Sequence, residues 1–168
     1  MAAEELEKVT AYHEAGHMIA AWELGLTVTR ATIVPDPEED YEGLVGIPVE
    51  ERVRHADWVE EEYLNAHLVT YYAGIATEEI YTNMPMSNAE VRVELKTYGS
   101  DYSKVSDFIA TIAGPNEAKQ VEVHENAKLQ ARKLIRRRWR RVSKIADVLL
   151  ERKTLDEGEC REILEQYG

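Results

Sequence analysis

At 168 residues and 19.2 kDa, the chain has room for one domain with a sizeable core, spanning 1–168, and too little for two. Its 20 basic and 32 acidic residues leave a net charge of −12, which excludes a binder of nucleic acid or anionic membrane over the whole surface. An apolar share of 44% excludes disorder, a lone Cys160 excludes an internal disulfide, and neither a signal layout nor a bilayer-length apolar run is seen, so a soluble cytoplasmic protein with no membrane partner is expected.

In chain order, Ala3 to Leu24 is predicted as an amphipathic helix. Leu6, Val9, His13, His17, Ala20, Ala21 and Leu24 recur at three- and four-residue spacing, and Gly25 is placed to end it. Val28–Val34 is β-branched and is stopped by Pro35, so it is predicted as a strand. An acidic loop follows over Asp36–Glu42, then a second strand around Leu44–Val49. Asp57 with Glu60 has the spacing of a capping box opening a helix from Trp58 to Tyr81. Asn83–Ser87 breaks that helix, and Val91–Leu95 alternates as a strand does. Ser100 caps a third helix running to Ala113, which Gly114-Pro115 stops. A long helix from Asn116 to Glu151 and a short one from Asp156 to Gln166 complete the chain. The fold class is therefore mainly α, of α+β type, with a small β-sheet near the N-terminal half.

The chemistry concentrates in Ala11–Ala21, which contains His13-Glu14-x-x-His17, the H-E-x-x-H pattern. Four residues advance a helix by about 400° and about 6 Å, so both imidazoles leave one face and can converge on a single ion. Glu14, beside the first histidine, would then reach a metal-bound water as general base. Two buried, hydrogen-bonded histidines are the alternative. Gly16 weakens a helix interior by about 1 kcal/mol, which signals close approach of another backbone or a ligand.

A zinc site of this kind needs a third protein ligand. His55, His67, His124 and several carboxylates are candidates. Helical phase puts Asp101 on the face of Val105, Phe108 and Ile112, and turns Asp107 outward. The same position also suits a carboxylate favoured by a helix N-terminus. His67 fits a core histidine, while His55 and His124 fit the surface.

Five segments in order resemble the peptidase domain of the FtsH-type AAA+ zinc proteases. They are AYHEAGHMIAAW (Ala11–Trp22), ATIVP (Ala31–Pro35), YYAGIATEEIY (Tyr71–Tyr81), GSDYSKVSDF (Gly99–Phe108) and the tail Ile145–Leu164. The resemblance implies a helical zincin-like metallopeptidase fold. It implies that His13, His17 and Asp101 hold Zn2+ and that Glu14 is the base. It further implies an edge strand near Ile33 that takes an extended substrate by backbone pairing. Glu78 and Glu79 match an acidic pair, for which a packing or salt-bridge role is expected. The ATPase module is lacking, no G-x-x-x-x-G-K-[ST] loop occurs, and the region after Gly114 is short.

The function expected from this resemblance is ATP-independent, zinc-dependent endopeptidase hydrolysis of peptides or unfolded proteins through a metal-activated water. The alternative is a catalytically silent peptidase-fold module for protein–protein interaction or assembly. Partners left open are a homo-oligomer or a separate ATPase. Lys128–Lys144 carries nine basic residues and no acidic one, leaving −21 for the remainder. A solvated face, or pairing with acidic surface, is expected of it, and nucleic-acid binding is not.

Overall fold

Helix α1, Ala3–Glu23, is buried almost all round from Val9 to Ala21. The one-sided stripe expected for it is too narrow: Thr10, Ala11, Glu14, Ala15, Gly16, Met18 and Ile19 are buried as well. The cause is its position, packed against two long helices and a small sheet at once. Gly25 ends α1 with a φ of +74°, a conformation that a Cβ would strain.

The computed structural model describes residues 2–39, 41–49, 60–85 and 101–168, with the backbone alone for 101–104. After α1 come strands β1, Arg30–Thr32, and β2, Leu44–Gly46, then helix α2, Glu60–Thr82. Helix α3 is Asp101–Ala113, and α4 is Glu117–Arg152. Strand β3, Thr154–Leu155, and helix α5, Glu157–Tyr167, finish the chain. The structure is thus mostly helical with one small antiparallel sheet. The predicted strand Val91–Leu95, the Asp57 capping box and Ser100 lie outside the described residues.

The 36 residues of α4 extend about 54 Å along the molecule. Asn116 caps its start by accepting from the Lys119 N–H at 3.2 Å, and Gly114, at φ +64°, makes the turn from α3. The inward stripe Ala131, Leu134, Ile135, Val142, Ile145 and Leu149 is buried against α1 and α2. Met18, Ile19, Leu68, Ile135, Ile145, Leu149, Leu155 and Leu164 are almost fully buried. Each such side chain contributes about 1.5–3 kcal/mol by leaving water.

The sheet has the order β2-β1-β3 and is antiparallel throughout. Ala31 lies opposite Val45 on one side and Leu155 on the other. Thr32 faces Thr154, and their hydroxyls are 2.8 Å apart. The strand containing Ala31 was expected at an edge, and it is central. The reason is β3, a two-residue strand too short for periodicity to reveal, which occupies the side that the sequence reading left open. Among the described residues, no helix is long and apolar enough to cross a membrane.

Candidate functional site

Helices α1 and α2 meet at two glycines, one on each. A Cβ on Gly16 would stand 2.8 Å from the Ala73 carbonyl oxygen and run into the Thr77 side chain. A Cβ on Gly74 would stand 2.5 Å from His17 Nε2 and 2.6 Å from His13 Nε2. The close approach anticipated at Gly16 is that of α2; the matching role of Gly74 went unread. Together they let α1 and α2 approach closely, with both imidazoles of α1 against the α2 backbone at Gly74.

One turn apart on α1, the two rings do converge. His13 Nε2 and His17 Nε2 are 2.9 Å apart, with the rings edge to face. His17 Nδ1 lies 2.7 Å from the Thr70 carbonyl oxygen. A carbonyl can only accept, so Nδ1 carries the proton and Nε2 of the neutral ring presents a lone pair. The proton between the rings therefore belongs to His13 Nε2. On its other side, His13 Nδ1 lies 3.0 Å from Glu78 Oε1. Carboxylate and ring nitrogen need a further proton between them, which sits on His13 or on Glu78. The result is a buried Thr70–His17–His13 hydrogen-bonded chain spanning α1 and α2, with the Glu78 carboxylate 3.0 Å from its His13 end.

Burial holds His17 neutral, pushing its pKa down to about 3; the neighbouring His13 adds to the shift, and the Thr70 carbonyl opposes it. Glu14 is buried beside this chain, beneath the start of β2: a Cβ on Gly43 would come within 2.7 Å of Glu14 Oε1 and of Thr10 Cγ2. His67 is buried between Tyr63 and Phe108, with ring centroids at 4.8 and 5.7 Å, as suits a core histidine. His124, expected at the surface, is half-buried, its Nδ1 2.6 Å from the Tyr72 hydroxyl. The adjacent carboxylates divide: Glu78 turns to His13, and Glu79 pairs with Arg132 at 3.2 Å. Side chains of Asp101 and His55 lie outside the described residues.

Among the described residues, no group of three or more His, Cys, Asp and Glu side chains is arranged to hold a metal ion. A catalytic zinc takes three protein donors and keeps one open position. Two imidazoles in contact with each other do not meet that need. The expectations of Zn2+, of a metal-activated water and of a zinc metallopeptidase acting on peptides or unfolded proteins are corrected accordingly. No family model and no curated protein matches the chain. The resemblance to the FtsH-type peptidases is corrected on those findings, and among the described residues no zincin-specific feature is seen beyond a mostly helical fold with a small sheet.

The surface beside the buried chain is the side of β2 that pairs with no strand among the described residues. Leu44, Val45 and Gly46 pair with β1 on one side and are half-buried. The loop from β1 into β2 carries Asp36, Glu38, Glu39 and Glu42. It is folded by the Asp36 carboxylate, which accepts from the backbone N–H groups of Glu38 and Glu39 at 3.0 and 3.3 Å. Val34 and Val49, which flank this hairpin, are 49% and 43% exposed.

Proposed function

We propose that the chain is a protein-binding module that takes an extended, positively charged polypeptide segment along the outer edge of β2. The observation that supports it is the strand order: among the described residues β2 ends the sheet, whereas β1 is paired on both sides. An edge strand presents a row of backbone donors and acceptors that another extended chain can satisfy. The carboxylates of the β1–β2 loop favour a partner rich in Lys and Arg, and exposed Val34 and Val49 favour apolar residues between them. Backbone pairing supplies affinity that tolerates many sequences, and the acidic rim narrows the choice by charge.

The test is fluorescence anisotropy of the full chain with labelled basic peptides that are unstructured when free. Saturable binding is expected, and it should be lost when alternate peptide amides are N-methylated, which removes donors while leaving every side chain in place. Absence of saturable binding, or binding that N-methylation does not weaken, rejects this reading.

A further inference from the structure

The cations of α4 separate into two sets once the helix is packed. Arg132 pairs with Glu79, and Arg138 and Arg141 both pair with Glu23 of α1, at 2.6 and 3.3 Å. These three arginines fasten the helix to the core. Lys133, Arg136, Arg137, Arg140 and Lys144 are exposed, and among the described residues none of them is in an ion pair. Their offsets of 0, 3, 4, 7 and 11 residues from Lys133 keep all five within about 60° of one bearing, along about 16 Å. Leu129, 49% exposed, lies on the same line one turn before Lys133.

Like charges at helical spacing destabilise a helix by a few tenths of a kcal/mol per pair. Burial of the opposite face does not explain the stripe either, because that face is the apolar row already described. The chain as a whole is acidic, yet nine of its 20 basic residues fall within these 17 positions: without Lys128–Lys144 the remainder carries 11 basic and 32 acidic residues. We infer that this face of α4 docks an acidic helical segment of a partner protein, whose carboxylates at three- and four-residue spacing meet the five cations and whose apolar side chain meets Leu129.

Three features favour that partner over nucleic acid. The positive face is about as long as three turns of a helix, and beyond it a long polyanion meets the negative remainder within about one screening length of 8 Å. The one aromatic residue of Lys128–Lys144, Trp139, is stacked on Tyr12 at 5.4 Å and half-buried, so it offers no platform for a base. Leu129 is an apolar contact, which suits a protein surface better than a phosphate backbone. Pairing with the same face of a second copy would set cations against cations. This surface is distinct from the edge of β2, and its test is independent of that proposal.

The experiment titrates the full chain with a synthetic Glu-rich helical peptide, an oligonucleotide of equal charge in single-stranded and duplex form, and no ligand. The peptide should bind, weaken about tenfold or more between about 50 and about 200 mM salt, and lose at least about tenfold in affinity for the Arg136→Glu/Arg140→Glu chain. Arg161→Glu, on α5, should leave binding unchanged. If charge reversal impairs folding by circular dichroism, Arg136→Gln/Arg140→Gln replaces it, with a smaller loss in the same direction. The inference is overturned if the oligonucleotide binds more tightly than the peptide, if the chain alone self-associates through this face in sedimentation, or if the variants bind the peptide as the unmodified chain does.

Discussion

Gly74 of α2 lies against the His17 ring of α1 so closely that no side chain fits between them; a Cβ there would approach Nε2 to 2.5 Å. Gly74→Ala would gain about 1 kcal/mol of intrinsic helix preference. It would also force apart two rings and a backbone packed without slack, and overpacking of that kind costs about 1–3 kcal/mol and occasionally more. Here the obstacle is a pair of buried rings, His17 held by the Thr70 carbonyl and His13 beside the Glu78 carboxylate. The net expectation is a loss of about 1–2 kcal/mol in urea unfolding. A variant as stable as the parent would mean that the two helices are not in contact there.

A pH dependence follows from His17. Its folded pKa, about 3, is below the ordinary value of 6.5, so between these values the unfolded chain binds the proton and the folded chain does not. Stability attributable to this ring is therefore intact above pH 6.5 and declines as pH falls toward 3, by up to about 1.4 kcal/mol per pH unit. Denaturation should show the decline from about pH 6.5 to 5, where most carboxylates still hold their charge. His17→Gln should flatten that slope. An unchanged slope in the variant would assign the effect to another group.

The parts of this fold governed by local chemistry were legible in the sequence. Gly25 and Gly114 do stand where helices end, both at positive φ, and the long helix does begin beside Asn116. The bounds of α4 and α5 follow because a one-sided apolar stripe has a period that a single chain displays. What was missed depends on pairing at a distance. β3 is two residues long, and only its neighbour Ala31 shows why Thr154 and Leu155 are extended. That omission turned a central strand into a supposed edge. Spacing was enough to bring His13 and His17 together, because one helix carries both. A third donor depends on how separate helices pack, and the side chain of Asp101, the residue expected there, lies outside the described residues. For the same reason, no local signal distinguished Glu78, which faces His13, from Glu79, which faces Arg132.

Cys160 should be a reporter of global unfolding. It is fully buried on α5, and burial first, then the nearby carboxylates of Asp156, Glu159 and Glu157, push its pKa to about 12. The thiolate is the reactive form, so the folded chain offers neither access nor nucleophile. Maleimide labelling is expected to be slow in buffer and to rise with urea in step with the loss of helical circular dichroism. Labelling in buffer at the rate of a small free thiol would show that α5 detaches without the rest of the fold.

Lys153, between α4 and β3, separates backbone strain from charge pairing. Its φ of +67° is rare for a residue with a side chain, and its N–H donates to the Leu149 carbonyl while its own carbonyl accepts from the Ile33 N–H. The side chain pairs with Glu7 near the surface, where such pairs contribute about 0–1 kcal/mol. Lys153→Ala removes the pair and keeps the strain, so it should lower stability slightly. Lys153→Gly removes the same pair but relieves the strain, and should exceed the alanine variant by about 1 kcal/mol. The comparison cancels the lost ion pair and leaves the backbone. Equal stability of the two variants would mean that this turn relaxes once the lysine is gone, and the hydrogen bond from Ile33, which joins the end of α4 to the central strand, should then exchange with solvent faster in both.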